Sequence, residues 1–411
     1  MKKIQTSRRR FLAGTPLAAA AAANRPYDLL VRGGHVVDPA SGISATRDIA
    51  IAGGRIREVA ANLSPDTAAR VIDARGKVVT PGLIDIHVHV YDGVAPLGIP
   101  ADPNCVARGV TTVVDAGSAG AHTFPGFRQH VLRIAQTRVY ALLNISALGQ
   151  TPYSAEIPYG ELLDLRYANP KLAAQTIERN RDAILGVKIR LSRNIADDHD
   201  VEALALARDA ADAVGLPVMV HIGDTHSPLP RILAMLKPGD VITHSFRAGD
   251  GGILDERGRV LAEVKSAVER GVRLDVGHGA AGFSFTTAER ARQQGVTPGT
   301  ISSDVHNYNV NGPVFDLATT LSKFLLLGFS LEEVIERSTT APARTFAFPA
   351  GTGTLRPGGE ADIAIFDYLE GRFEFVDSRG EKRTGTRRLV PAITVKSGHI
   401  YGAATATVEP A

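Results

Sequence analysis

The sequence predicts an α/β protein, in which a (β/α)8 barrel of the TIM type is joined to a small β-sandwich domain built by both termini. Eight short runs of Val, Ile and Leu follow one another through the middle of the chain, with helix-like segments between them. Such runs are typical of parallel strands buried on both faces. Both ends of the chain instead alternate Val and Ile between Gly-containing turns, which indicates antiparallel hairpins. A chain of 411 residues has room for a barrel of about 250 residues and a smaller partner.

The N-terminus resembles an export signal. Residues 1–24 begin with basic side chains and continue into a short apolar stretch that ends in small residues, as in a cleavable signal. The core at 7–13, SRRRFLA, looks like a twin-arginine signal. We therefore expect export to the periplasm. The alternative is a disordered basic tail on a cytoplasmic protein.

The signal accounts for the basic character of the chain. Residues 1–24 carry five positive charges and no negative ones, so their removal takes the formal net charge from +3 to −2. The remaining chain gives no reason to expect binding to nucleic acid or to an anionic membrane. It also lacks the run of about 18 apolar residues that a membrane span requires.

The β-sandwich domain is predicted from residues 25–82 and 350–411, because strand and turn patterns recur at both ends of the chain. Residues 27–42 and 48–60 each give two strands around a Gly-Gly turn. Further hairpin patterns lie at 70–82, 353–367 and 387–402.

The barrel is predicted from residues 83–349. A helical pattern such as 201–214 separates neighbouring strands, and the last helix begins at Ser330 with a capping box to Glu333. An open doubly wound sheet is the alternative, although no Gly-rich phosphate motif follows the first strand. The predicted strands are 83–90, 111–117, 139–146, 186–192, 217–223, 240–246, 273–279 and 300–306.

Polar residues recur where these strands end, which is the side on which barrel enzymes place their chemistry. His87 and His89 are two residues apart on the first strand, so both imidazoles point to the same face. A lone strand histidine is usually structural, but a set spread over five strand ends indicates a metal centre. The candidate ligands are His87, His89, His221, His244 and Asp304, and Lys188 lies at a matching strand end.

These features together resemble the amidohydrolase superfamily. The resemblance is carried by PGLIDIHVHVY, by GVTTVVDAG, by SSDVH and by the closing segment GTLRPGGEADIAIFD, and it extends over residues 27–402. The spacing from Lys188 to His221, His244 and Asp304 is similar to that of the amidohydrolase/deacetylase metallohydrolase branch, whose members include dihydroorotase-like proteins.

The resemblance implies two divalent metal ions, for which Zn²⁺ suits the imidazole and carboxylate ligands. His87 and His89 would hold one ion together with Asp304. His221 and His244 would hold the other. Lys188 would bridge the two as a carbamate (N6-carboxylysine), since a protonated amine has no lone pair to offer. The alternative for Lys188 is a buried lysine paired with Asp304.

The resemblance also implies a mechanism of hydrolysis. A hydroxide that bridges the two metals would attack a carbonyl polarised by the more exposed ion. Asp304 would act as the catalytic residue, taking the proton and passing it to the leaving group. This predicts a hydrolase that acts on an ester or C–N (amide) bond.

Two residues near the strand ends are candidates for substrate binding. Arg190 points the same way as Lys188 and could hold a substrate carboxylate, or it could pair with an acid of the barrel. His278 ends the seventh strand among glycines and could hydrogen-bond the substrate.

The substrate class is predicted from an arginine that is missing after the histidine pair. Dihydroorotases usually have an arginine two residues after the histidine pair, whereas this chain has Tyr91. We therefore expect deacetylase-like cleavage of an acylated hydroxy or amino acid, a small-molecule substrate. The alternatives are a cyclic-amide hydrolase of the dihydroorotase or hydantoinase kind, and a non-catalytic metal-containing binding protein. Assembly into a homo-oligomer is left open.

Overall fold

The structure is a computed structural model that describes residues 25–153, 159–402 and 408–410, the last three by their backbone. The predicted export signal at 1–24 lies outside the described residues and stays a prediction. No described helix has both the length and the apolar character needed to cross a membrane.

Two β-sheets organise the described part of the chain. In chain order their strands are β1 (Leu29–Asp38), β2 (Ile43–Ala52), β3 (Arg55–Ala60), β4 (Arg70–Asp73), β5 (Lys77–Pro81), β6 (Leu83–Val88), β7 (Val110–Gly120), β8 (Arg138–Asn144), β9 (Ile184–Arg190), β10 (Val218–His221), β11 (Val241–Thr243), β12 (Arg273–Leu274), β13 (Ile363–Val376), β14 (Lys382–Lys396), β15 (His399–Gly402) and β16 (Val408–Pro410).

The central sheet contains seven strands, β6 to β12, and each strand is the parallel neighbour of the next in sequence. This order is that of a TIM-type barrel, as predicted. Each of the first seven apolar runs contains or overlaps one of these strands. The barrel therefore places the carboxyl ends of β6 to β12 around one mouth.

The eighth predicted strand, 300–306, is not a regular strand, although it occupies the closing position. Isolated parallel bridges join Asp275 to Thr300 and Val88 to Val305, so the segment contacts both edges of the central sheet. Asp304 has a φ of 48°, which interrupts an extended chain. Its neighbour Ser303 also bonds a buried carboxylate through its hydroxyl rather than continuing a ladder.

The helices lie between the barrel strands. The helix predicted at 201–214 is confirmed as α5 (Asp200–Val214), and Gly215 ends it in the left-handed conformation. The capping box of Ser330 and Glu333 is present at the start of α10 (Leu331–Glu336). The described helices are α1 (Ala101–Asn104), α2 (Phe124–Phe127), α3 (Pro170–Glu178), α4 (Arg193–Ala196), α5 (Asp200–Val214), α6 (Leu229–Ala234), α7 (Ala262–Glu269), α8 (Phe285–Gln293), α9 (Leu317–Leu326), α10 (Leu331–Glu336) and α11 (Thr340–Thr345).

Both ends of the chain build one β domain, as predicted. Its nine strands form a mixed sheet in which β13 and β14 from the C-terminal end pair with β5 from the N-terminal end. The sheet forks at β1, whose first half pairs with β4 and whose second half pairs with β5. Its apolar side chains form a core separate from that of the barrel.

The long β13–β14 hairpin leaves this domain and packs against the barrel. Phe375 and Leu389, one from each strand, belong to the barrel core. At the tip, the hydroxyl of Ser378 donates to the carbonyl oxygen of His278 at 3.0 Å. The hairpin therefore contacts the loop after β12, which borders the mouth of the barrel.

Candidate metal centre

The six candidate ligands converge at the carboxyl ends of the central sheet. Lys188 lies within β9, and His221 is the last residue of β10. A cavity of about 490 Å³ opens there, and its lining includes His89, His221, His244 and Asp304. His87 and Lys188 lie behind this lining and are almost fully buried, with exposed fractions of 1% and 0%.

The Asp304 carboxylate faces three histidines. His87 Nε2 lies 3.3 Å from Asp304 Oδ1, and His89 Nε2 lies 3.2 Å from the same oxygen. His244 Nε2 lies 3.9 Å from Asp304 Oδ2. One ligand atom from each of His87, His89 and Asp304 can be chosen so that all three lie within 4.8 Å of one another. This group could hold a divalent cation.

A second pair of histidines adjoins this group. The ring centroids of His221 and His244 are 4.3 Å apart, and the rings meet edge to face at 79°. The His87 and His244 centroids are 5.1 Å apart, so His244 lies between the two sets. Ser192 Oγ lies 3.0 Å from His221 Nε2. The four histidines thus form one continuous cluster.

Lys188 lies on the inner side of this cluster. Its Nζ is 3.2 Å from His87 Nε2 and 3.6 Å from Met219 Sδ. Burial lowers the pKa of the amine to about 7. Among the described residues the ion-pair contacts of Asp304 are with His87, His89 and His244 and not with Lys188, although the charge of Asp304 acts to raise the pKa of the amine. The structure therefore presents a buried amine next to the histidines.

Hydrogen bonds to the remaining ring nitrogens orient three of the histidines. His87 Nδ1 is 2.8 Å from Thr243 Oγ1, and His89 Nδ1 is 2.9 Å from Ser118 Oγ. His244 Nδ1 lies 2.5 Å from the carbonyl oxygen of Gly277. In each case Nδ1 has a partner, so Nε2 points towards the other histidines. This is how metal-binding histidines are usually held.

Buried carboxylates support this arrangement from below. Thr243 Oγ1, which contacts His87, also donates to Asp275 Oδ2 at 2.8 Å. Asp115 accepts the backbone N–H of Ser118 at 2.7 Å. Asp85 accepts the backbone N–H of Ser303 at 3.0 Å. Burial raises the pKa of all three carboxyls, to about 7 for Asp85.

The electrostatic environment keeps the histidines neutral, as metal ligands must be. Burial is the main cause in each case, and nearby positive charge, above all the Lys188 amine, adds to it for His87. The pKa of His89 falls to about 3 and that of His244 to about 4. Those of His87 and His221 fall well below their ordinary value.

The residues present fit a bound cation. Among the described residues, neither His244 Nε2 nor Asp304 Oδ1 has a hydrogen-bond partner, although both atoms are buried. Unpartnered buried polar atoms are costly unless a ligand satisfies them. Both residues also have positive φ angles, 64° for His244 and 48° for Asp304. Such strain clusters at functional sites.

Arg190 lines the cavity, but its guanidinium is held by an acid. Its Nε and Nη2 donate to the two oxygens of Glu161 at 2.7 and 2.6 Å. Tyr153 stacks on it, with Cζ 4.9 Å from the ring centroid. Of the two alternatives, the pairing with a barrel acid is thus the one observed. Arg190 therefore cannot also bind a substrate carboxylate through Nε and Nη2. That Arg190 contacts the substrate stays a prediction.

His278 does not point to the substrate cavity, contrary to its predicted place at the mouth. The side chain is fully buried, and its Nε2 accepts from Lys323 Nζ at 2.7 Å. Its Nδ1 lies 3.0 Å from the carbonyl oxygen of Gly279. Both ring nitrogens therefore have partners within the protein. The physical reason is that Lys323 of α9 is itself buried and needs an acceptor.

Tyr91 also points away from the cavity. Its hydroxyl donates to the carbonyl oxygen of Thr123 at 3.0 Å, and its ring meets Phe127 edge to face. The position that carries arginine in dihydroorotases thus offers no cation to a substrate here. His306, in contrast, lines the cavity beside His89, with the ring centroids 6.2 Å apart.

Sequence reasoning missed the residues that support the ligands. Thr243 directly precedes His244, so a polar residue beside a candidate ligand was an available signal. Ser118 lies in β7, which carries no candidate ligand, one residue after the predicted strand 111–117. Glu161 had no such signal, because it lies in a loop 29 residues before its partner Arg190.

Comparison with known proteins finds relatives that match most of the chain. A deacetylase from Enterococcus faecalis is 35% identical over 378 residues, which cover 91% of this chain and 99% of that protein. A crystal structure of an adenine deaminase is 36% identical with a TM-score of 0.83, and covers 91% of this chain and 99% of its own. A crystal structure of a dihydroorotase is 33% identical, also with a TM-score of 0.83, and covers 92% and 99%.

The three relatives bear different activity names, so the comparison identifies a family rather than one substrate. A family model for amidohydrolases matches residues 78–400, which include all six candidate ligands. Members of this family typically use metal ions, and they are hydrolases that act on amide bonds. From its sequence, its barrel and its cluster of histidines, this chain belongs to the amidohydrolase family.

Proposed function

We propose that this protein is a binuclear, zinc-dependent hydrolase that removes an acyl group from an acylated hydroxy or amino acid. The observation that carries the proposal is the convergence of four histidines, Lys188 and Asp304 in one buried cluster at the barrel mouth. The 35% identity with a protein named deacetylase supports the choice of reaction.

Each ligand has a distinct task in this proposal. His87, His89 and Asp304 would hold the more buried cation, and His221 and His244 would hold the other. Lys188 would join the two sets as a carbamate, formed when its neutral amine adds carbon dioxide and releases a proton, because the carbamate shares one negative charge between two oxygens. Burial of the amine, which lowers its pKa to about 7, supports this step because the neutral amine is the reactive form.

The cations, when bound, supply Lewis acidity that polarises the scissile carbonyl and lowers the pKa of coordinated water towards 7. Asp304 takes the proton of the attacking water and returns it to the leaving oxygen or nitrogen. The carboxylate faces His244 from one oxygen and the histidine pair from the other, which supports a role at the centre of the reaction.

Two other functions remain as competitors. Opening of a cyclic amide is favoured by the likeness to a solved dihydroorotase, but the inward-packed Tyr91 offers no cation where dihydroorotases have one. A metal-containing binding protein would keep the ligands without turnover. Neither competitor accounts for the deacetylase-named relative over 91% of the chain.

A substrate panel distinguishes these functions. Zinc-loaded protein is assayed with acetyl esters of R- and S-lactate, with N-acetyl-D- and N-acetyl-L-alanine, and with dihydroorotate and hydantoin. We expect hydrolysis of at least one acetylated acid, abolished by a chelator and restored by zinc. Turnover of the cyclic amides alone would show that the protein is a cyclic-amide hydrolase. Tightly bound zinc without turnover of any compound would show that it is a metal-containing binding protein.

A further inference from the structure

The cavity above the histidines contains two arginines with different environments. Arg190 is almost fully buried, and its Nε and Nη2 atoms are occupied by the two oxygens of Glu161. This pair is electrically neutral as a unit. Arg190 therefore contributes little net attraction for an anionic substrate.

Arg247 lines the same cavity without such a partner. Its Nη1 donates to the backbone carbonyl oxygen of Asp250. The carboxylates of Asp224 and Asp250 influence it through space, and no ion pair forms between Arg247 and any described carboxylate. Its positive charge is therefore not neutralised by direct contact within the described part of the chain.

Arg247 also lies close to the proposed second cation. It follows His244 by three residues, and its backbone N–H donates to the His244 carbonyl oxygen at 3.1 Å. Its charge contributes to the low pKa of His221. The Arg247 guanidinium therefore acts on His221, and its backbone is joined to His244.

The environment of Arg247 favours an anion that comes from outside the protein. The side chain is half-buried, and burial lowers the pKa of the guanidinium from its ordinary value. A partly desolvated cation gains most from a carboxylate, which can accept two parallel N–H bonds from the guanidinium.

We propose that Arg247 binds the carboxylate of the substrate and so selects acylated acids over neutral acyl esters and amides. The inference rests on the proposed function, and it adds the group that recognises the substrate. The free carboxylate would lie at Arg247, and the scissile carbonyl would lie between the His221–His244 pair and Asp304.

The neighbouring basic surface does not offer the same site. Arg257, Arg259 and Arg290 line an open depression that Arg247 borders. Arg259 is paired with Asp255 at 2.8 Å. Arg257 is exposed and does not line the cavity of the histidines. Arg257 therefore provides a matched control with the same change of charge.

The test compares an acid with its carboxamide. For the acetylated acid that zinc-loaded enzyme hydrolyses fastest, kcat/KM is measured beside that of the corresponding carboxamide. We expect Arg247→Met to lower kcat/KM for the acid about 10- to 100-fold, mainly through KM, as the loss of a charge-assisted bond predicts. The carboxamide should change less than about 3-fold. Arg247→Lys should retain part of the preference, and Arg257→Met should match the unmodified protein.

An equal loss on acid and carboxamide would show that Arg247 only maintains the fold, and would overturn the inference. A binding measurement separates this failure from that of the proposed function. If nothing in the panel is hydrolysed, titration calorimetry with N-acetylalanine and N-acetylalaninamide still reports on Arg247. Tighter binding of the acid that disappears in Arg247→Met supports the inference, whereas equal or undetectable binding of both compounds contradicts it.

Discussion

Asp304 has two proposed tasks, to bind a cation and to carry a proton, and one substitution can separate them. Asp304→Asn keeps a side-chain oxygen that can face the cation but removes the basic carboxylate. We expect the metal content to stay unchanged while kcat falls about 10²- to 10⁴-fold, the usual range for loss of a general base. Metal analysis and steady-state kinetics on the same preparation check this. Normal turnover by the variant would show that Asp304 is not the proton carrier.

Lys323 provides a pH-dependent prediction outside the metal centre. Burial lowers the pKa of its amine from 10.5 to about 7. Between these values the folded protein has released the proton and the unfolded chain still binds it. The free energy of unfolding should therefore rise with pH above 7, by up to ~1.4 kcal/mol per pH unit. Below pH 7 both states are protonated, so the contribution is constant.

Urea unfolding of the unmodified protein and of Lys323→Met at pH 7, 8 and 9 measures this contribution. The variant lacks the titrating amine, so the stability of the unmodified protein relative to it should increase at each step. A difference that stays constant over this range would mean that the amine titrates at its ordinary value.

At the residue scale, the sequence predicted which side chains come together at the strand ends better than it predicted their hydrogen-bond partners. His87 and His89 could be placed on one face because strand side chains alternate. The partners of Arg190 and His278 could not be predicted, because Glu161 and Lys323 lie 29 and 45 residues away with no repeating spacing. Pairing across a barrel depends on tertiary packing, which local periodicity does not encode.

Gly117 shows how an element of the barrel accommodates the Lys188 side chain. It lies in β7 with a φ of 86°, and a Cβ added there would lie 2.6 Å from Lys188 Cγ. Gly117→Ala should lower the free energy of unfolding by about 2–5 kcal/mol, which combines backbone strain and overpacking. It should also reduce the metal content, because Lys188 has to move.

Gly76→Ala is the matched control for this prediction. Gly76 has a similar φ of 74°, and no described atom lies within 4 Å of the added Cβ. Its cost should be limited to about 1–2 kcal/mol of backbone strain, with metal content unchanged. Equal costs for the two variants, measured by urea unfolding, would contradict the close packing of Gly117 against Lys188.

At the element scale, seven strands and the capping box of α10 followed from local patterns. The apolar runs predicted β6 to β12 because both faces of these strands are buried. The same reasoning was wrong about regular strand structure at 300–306. There the chain must turn Asp304 towards the histidines, and its positive φ breaks the pairing that the apolar pattern predicted.

At the scale of the whole molecule, the patterns at the two ends predicted one domain, but not its contact with the barrel. The β13–β14 hairpin carries Phe375 and Leu389 into the barrel core. Its tip bonds to the main chain at His278. An alternating pattern indicates a strand but does not show how far the strand extends. The contact between the hairpin tip and the loop beside the cavity could therefore be found only in the structure.

In the proposed enzyme, six side chains from distant parts of the sequence hold the two cations that hydrolysis requires. The most direct test measures the zinc content and the rate of hydrolysis of the best acetylated acid. It compares unmodified protein with Lys188→Met, both produced in medium that contains zinc and bicarbonate. We expect about two zinc ions per chain, with activity lost on chelation and restored by zinc, and we expect Lys188→Met to lose both zinc and activity. Unmodified protein without bound zinc, or full zinc content and activity in Lys188→Met, would contradict it.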